Sequence, residues 1–238
     1  MKILLSNFDI TIALSFLSKE NSKSLPIQYA DFNVLNYLYS EKLEPNKLNQ
    51  IYFYPDSSAL YFYVKFFIDR KYKKIISTDI QNSLLVELEK NQSKIYLLGD
   101  SSTILKRVAE RLKIKFPKLT LVDYCNGYNF DTEKVITEIN KNDIDILFVG
   151  LGLGRQEKWI LENHLNINAK IILSVGGWFQ YLAKNKKRAP LFLRKNHLEW
   201  LHKIIVEFPR VWKRYFIGFP LFMYRVLTKQ IEITIEKD

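Results

Sequence analysis

The sequence predicts an α/β fold: a Rossmann-like parallel sheet with helices on both faces, followed by a helical C-terminal appendage rich in basic and aromatic residues. Three observations predict it. From Asp79 onward, continuous apolar runs alternate with helix-length segments, as in strands buried on both faces by crossover helices. The apolar runs end on glycines, at Gly99, at Gly150 to Gly154 and at Gly176-Gly177. Past Pro190 the period changes, which divides the chain into a core of residues 1–190 and an appendage of residues 191–238.

In chain order, residues 1–75 hold short strand candidates, Lys2 to Leu5 and Gln50 to Tyr54, among mixed helical pieces. Asp31, Asn33 and Asp56 are the polar residues at their edges. Asp56 follows Ile51 to Tyr54 and Pro55, so it stands where a strand runs out. Ligands gather at such ends in open α/β sheets, although an aspartate after proline also fits a plain solvated turn. Next come helix Ile80 to Lys90, strand Lys94 to Leu98, helix Ser101 to Phe116 and strand Leu119 to Tyr124. Helix Thr132 to Asn140, strand Ile144 to Gly150, helix Gln156 to Leu165 and strand Ala169 to Val175 complete the alternation. Their ends, Gly99-Asp100, Asn126-Gly127-Tyr128, Gly152 to Gly154 and Gly176-Gly177, are expected along one edge. In the tail, Leu198, Leu201, Ile205, Phe208, Trp212 and Tyr215 recur at spacings of three and four. That is an apolar stripe on one helix, or on two hinged at Pro209.

Composition narrows the partners. The 238 residues are long enough to bury a core without disulfides, and the single Cys125 permits no internal one. Three histidines and one cysteine offer no metal-ligand spacing. The N-terminus starts like a signal peptide, but Asp9 interrupts it and no small-residue cleavage site follows, so a cytoplasmic protein is expected. No segment is apolar for the roughly 18 residues a membrane span needs. The net charge is +11, and thirteen Lys and Arg face five acids over residues 184–238. Such a tail suits nucleic acid, anionic lipid or a diphosphate. No RNP, KH or helix-turn-helix pattern is present, so a basic nucleic-acid-binding protein is the weaker alternative.

The stretch Ile144 to Gly177 carries the ligand-binding motif. Gly150, Gly152 and Gly154 are not a dinucleotide fingerprint, because Arg155 stands where a glycine is needed and no acidic residue ends the next strand. The glycines still allow a phosphate to approach, and Arg155 opens a helix. Gln156 and Glu157 follow, and Glu157 fits a capping role as well as a functional one. Lys186, Lys187 and Arg188, just past the last strand, suit phosphate contact or plain solvation.

Several of these pieces fall in one collinear pattern. Gly99, Asn126-Gly127-Tyr128, Ile139-Asn140, Gly152 with Gln156 to Ile160, Gly176-Gly177-Trp178-Phe179, Arg188-Ala189-Pro190, Leu198-Glu199-Trp200, Pro209-Arg210 and Arg214-Tyr215 together resemble the WecG/TagA/CpsF glycosyltransferases, glycosyltransferase family 26. The N-terminal half matches more thinly. Asp31-Phe32-Asn33 resembles the family's T-x-N, Pro55-Asp56-Ser57 its catalytic P-D-G, and Ser77-Thr78-Asp79-Ile80 its G-x-D-L. Gly154-Arg155 stands in place of Pro-Lys, and Gln180 in place of the usual Asp.

The resemblance implies an inverting transfer of a sugar from a UDP donor to a polyprenyl-diphosphate-linked saccharide, with no cofactor and no metal, in surface-polysaccharide or cell-wall polymer synthesis. It makes Asp56 the catalytic base. It puts Asn33, Asp79, Gly99, Gly127, Tyr128, Gly152, Gln156, Glu157, Gly177, Gln180, Arg188, Arg210 and Arg214 in the substrate site. It also implies docking of the appendage on an anionic membrane at the inner face of the cell membrane, and leaves room for a homo-oligomer or pathway partners. A catalytically silent family member acting as a scaffold is the alternative within the same family.

Overall fold

The computed structural model describes residues 1–6, 10–18, 23–43, 45–72 and 77–236; Asp9 lies outside them. The strands are β1 (Lys2–Leu5), β2 (Leu25–Ala30), β3 (Tyr52–Pro55), β4 (Lys94–Gly99), β5 (Thr120–Cys125), β6 (Ile146–Gly150), β7 (Ile171–Ser174) and β8 (Glu232–Ile235). The first helices are α1 (Ile10–Leu17), α2 (Phe32–Ser40), α3 (Pro45–Leu48), α4 (Ser58–Phe67), α5 (Ser77–Lys90) and α6 (Ser102–Lys115). Then come α7 (Thr132–Lys141), α8 (Arg155–Asn163), α9 (Trp178–Leu182), α10 (Leu191–Lys195), α11 (Glu199–Lys213) and α12 (Phe219–Leu227).

Among the described residues the strands form one eight-stranded sheet, in the order β5-β4-β6-β7-β2-β3-β1-β8. Every pairing is parallel. This is the α/β arrangement expected from the alternating apolar runs. Side chains alternate across the sheet. Ile95 and Leu97 of β4 enter one core with α1, α5, α6 and α9, while Tyr96 and Leu98 enter the other with α2, α4, α7, α8 and α12. With both faces covered, the strands have no polar side to show, which is why they read as unbroken apolar runs.

Two strands escaped the sequence reading. In β2, Pro26 and the buried Gln28 interrupt the apolar pattern, yet the strand pairs with both β7 and β3 near the sheet centre. In β8, Glu232 to Ile235 pair residue for residue with Lys2 to Leu5, so the end of the chain closes the sheet beside its beginning. Residues of the C-terminal segment therefore join the main core, with Phe222 and Ile231 almost fully enclosed.

α11 is kinked, as the hinge at Pro209 suggested: Glu207 leaves helical geometry at φ −124°, ψ 27°. Proline lacks the amide hydrogen that the helix requires and crowds the preceding turn. A π-helical turn, Arg214–Gly218, then joins α11 to α12. Among the described residues no helix is long and apolar enough to cross a membrane.

Candidate active site

The carboxyl ends of the strands border the site. β4 lies between β5 and β6, so the chain leaves β4 to one side for β5 and returns to the other for β6. Such a reversal opens a crevice beyond the strand ends. Here it is a cavity of about 550 Å³ bordered by Asp100, Gly127, Gly152 and Gly177. The four expected strand ends thus do share one edge.

The crevice depends on close backbone approach. Gly99 has φ +146°, and a Cβ there would come within 2.4 Å of the Gly150 carbonyl oxygen. In the β6–α8 turn, Gly154 has φ +85° and its amide donates to Oε2 of Glu157 at 2.5 Å. Only glycine takes such backbone readily. Arg155 turns back and donates from Nη2 to the Gly127 carbonyl at 2.6 Å, stapling the β6–α8 turn to the loop after β5.

Asp56 follows β3, held by its amide donating to the Ala30 carbonyl at 2.9 Å. Its Oδ1 accepts from the Ser77 amide at 2.8 Å and its Oδ2 from the Ser77 hydroxyl at 2.7 Å. Burial pushes this carboxyl up to about 6, against the opposing pull of the Ser77 hydrogen bonds and of Lys203, and with a further upward push from Asp31. Ser57, where the resemblance has glycine, is extended at φ −130° and caps α4 by accepting from the Leu60 amide. No glycine is required there.

Asp56 borders two cavities. The second, about 440 Å³, is walled by Phe32, Phe62, Trp200, Tyr215, Phe216 and Phe219. Asp56, Thr78, Lys203 and Arg214 line both. Arg214 also pairs with Asp31, which caps α2 through the amides of Asn33 and Val34. Burial works against the Arg214 charge, but Asp31 and its other anionic neighbours hold the guanidinium above its ordinary value.

Of the residues expected in the site, Asp56, Gly127, Tyr128, Gly152, Gly177, Gln180, Arg210 and Arg214 line the larger cavity. Arg210 is paired with Glu207. The other six stand back from both cavities. Gly99 serves the packing just described. Gln156 and Glu157 are fully enclosed, and Gln156 donates to the Tyr29 hydroxyl at 3.0 Å and the Ser174 hydroxyl at 3.1 Å. They brace the wall from behind, through Tyr29, which does line it. Asn33 packs against Gly218, and Arg188 is ion-paired with Asp79 at 2.5 Å beside a separate basic groove.

Sequence reading missed Lys203 and Tyr29, and it named Asp100 at a strand end and Ser77 in a motif without giving either a role in the site. For Lys203 a signal existed. Lys203, Arg210 and Arg214 are seven and eleven residues apart, which puts them on one helix face. Among the described residues no group of three or more His, Cys, Asp or Glu comes together as a metal-ion site.

Alongside the strand-end crevice and the Asp56 carboxylate, a family model matches most of the chain. The model is that of the glycosyl transferase WecG/TagA/CpsF family, and it matches residues 15–235. The chain belongs to this family. It is a glycosyltransferase. Two Staphylococcus aureus proteins, from strains MRSA252 and NCTC 8325 / PS 47, are 25% and 24% identical to it over 213 residues, 89% of this chain and 83% of each relative. Both are N-acetylglucosaminyldiphosphoundecaprenol N-acetyl-beta-D-mannosaminyltransferases. In this glycosyltransferase the polar and aromatic cavities share Asp56, Thr78, Lys203 and Arg214.

Proposed function

We infer that this glycosyltransferase moves a sugar from a UDP-sugar to a polyprenyl-diphosphate-linked saccharide, inverting the anomeric centre, in the synthesis of a bacterial cell-wall or surface polymer. One observation carries the reading: the Asp56 carboxylate borders both the strand-end cavity and the aromatic cavity. A base on that shared wall can take the proton from an acceptor hydroxyl as its oxygen attacks the anomeric carbon of a donor on the other side. The bond from that carbon to the diphosphate breaks, and UDP leaves with the electron pair. A single displacement inverts the centre.

The leaving diphosphate gathers negative charge, and Lys203, Arg210 and Arg214 on or beside α11 are the groups to offset it. That supports a reaction without a bound metal. The aromatic cavity suits the first isoprene units of the acceptor lipid, because flat rings bury apolar chains without unsatisfied polar groups. The relatives' names support N-acetylmannosamine as the sugar and undecaprenyl-diphosphate-N-acetylglucosamine as the acceptor. The exposed apolar side chains of the appendage, among them Ile205, Phe208 and Ile217, support peripheral binding at the inner membrane face.

The test is an assay with a panel of UDP-sugars and a short-chain prenyl-diphosphate N-acetylglucosamine, read by mass spectrometry. Transfer that persists in EDTA, yields the inverted linkage and disappears in Asp56→Asn is expected. Failure to transfer or hydrolyse any UDP-sugar overturns the reading, as does full turnover by Asp56→Asn.

A further inference from the structure

Seven described residues other than glycine have positive φ: Lys42, Gln92, Asp100, Asp143, Lys184, His197 and Lys229. Six of them come two residues after a helix ends, where a left-handed residue is the ordinary way to stop a helix. Asp100 is the exception. At φ +46° it directly follows β4, at the mouth of the crevice, with its amide donating to the Gly150 carbonyl at 3.2 Å. A residue other than glycine at positive φ away from a helix end is uncommon, and aspartate is among the residues that take it most readily.

Its carboxylate is fixed on both sides. Oδ1 accepts from the Ser101 amide at 2.8 Å, and Oδ2 accepts from Nε2 of Gln180 at 2.6 Å. Gln180 is itself oriented, because its Oε1 accepts from Nδ2 of Asn185 at 2.6 Å. Each carboxylate oxygen can accept a second hydrogen bond. Both Asp100 and Gln180 line the larger cavity, facing a wall of glycines with room for a ring. None of the ion pairs among the described residues includes Asp100. A carboxylate without a cation suits the neutral, hydroxyl-bearing part of a nucleotide sugar and repels its phosphates.

Position 180 adds a second, independent clue. The pattern this chain resembles usually has an aspartate there, and here the glutamine donates instead to the Asp100 carboxylate that follows β4. We propose that Asp100, oriented by Gln180, reads vicinal hydroxyl groups of the donor, on its ribose or on the transferred sugar, and supplies the carboxylate that position 180 lacks. This rests on the nucleotide-sugar reading above and adds to it a residue and a chemical class.

Asp100→Gly tests it, because glycine suits φ +46° while removing the carboxylate. A melting temperature equal to or above wild type is expected, with a loss of donor recognition of about tenfold or more. If the ribose is read, Asp100→Gly binds UDP about tenfold more weakly by calorimetry, and only the wild type distinguishes UDP from its 2′-deoxy analogue. If the sugar is read, UDP binding is unchanged and kcat/KM for the UDP-sugar falls. In either case Gln180→Asp added to Asp100→Gly restores what was lost. An Asp100→Gly enzyme with wild-type UDP affinity and wild-type kcat/KM overturns the proposal. A wild type that binds neither UDP nor any UDP-sugar overturns the nucleotide-sugar reading itself, and this proposal with it.

Discussion

Oδ2 of Asp31 accepts a hydrogen bond from Nη2 of Arg214 at 2.5 Å, across 183 residues of sequence. The same carboxylate caps α2 with its other oxygen. One buried side chain therefore starts a core helix and holds an appendage arginine on the wall between the two cavities.

The two roles of Asp31 can be separated. Asparagine caps helices as well as aspartate does, so Asp31→Asn keeps the α2 cap and loses only the charge that fixes Arg214. The expected result is a kcat/KM lower by about tenfold or more, with a coupling of roughly 1–3 kcal/mol to Arg214. A double-mutant cycle with Arg214→Gln measures it: Asp31→Asn should do little further harm once Arg214 is gone.

As the proposed base, Asp56 is expected to set the pH dependence of turnover. With the carboxyl pushed up to about 6, the base is protonated below that pH and free above it, so kcat/KM should rise through pH 6 and level off. Stability runs the other way. The folded state holds this proton more tightly than the unfolded chain, so the contribution is complete below the ordinary value of 3.8 and is lost as pH rises through about 6. Above that, the partly buried charge costs on the order of 3 kcal/mol, and Asp56→Asn should melt at a higher temperature than wild type at pH 8 while being inactive. Thermal unfolding at pH 4 and pH 8 reads the difference.

Two glycines of the site should respond differently to alanine. At Gly99 a Cβ would strike the Gly150 backbone in a conformation alanine avoids, and Gly99→Ala is expected to cost roughly 2–4 kcal/mol in urea unfolding. At Gly177, with φ −83° and open space around the added carbon, Gly177→Ala should leave stability within about 0.5 kcal/mol of wild type. Any loss of activity there would come from the ligand's own need for room.

Membrane docking calls for point changes, because cutting the appendage away would strip β8 from the sheet. Ile205 and Ile217 are 72% and 54% exposed and line neither cavity. Replacing both with glutamate should reduce co-sedimentation with phosphatidylglycerol vesicles by about tenfold or more, since each change removes apolar insertion and adds repulsion. Turnover of a water-soluble acceptor should be unaffected.

Much of the fold was legible because its information is local. From Asp79 to Val175 each strand is a buried apolar run and each helix a separate periodic segment, so the order of elements, their parallel pairing and the shared edge of glycine ends could be read directly. Asp56 was found by its place after β3, and Arg210 and Arg214 by the family pattern. Lys203 had a signal in its spacing. The inward placement of Gln156 and Glu157 did not, since a polar pair at a helix start looks the same whether it faces a ligand or braces a wall.

By itself the sequence determined the parallel α/β sheet, the glycine-edged crevice, the family and a basic, aromatic tail. The tertiary structure alone decided that β8 returns to pair with β1, that Arg214 meets Asp31, and that Asp56 borders two cavities at once. It also decided that Asp100 shares its carboxylate with Gln180. The physical reason is sequence distance. Strand and helix patterns arise from neighbours along the chain, whereas these contacts join residues far apart in sequence, 80 residues for Asp100 with Gln180 and 183 for Asp31 with Arg214, and only the folded chain brings them together.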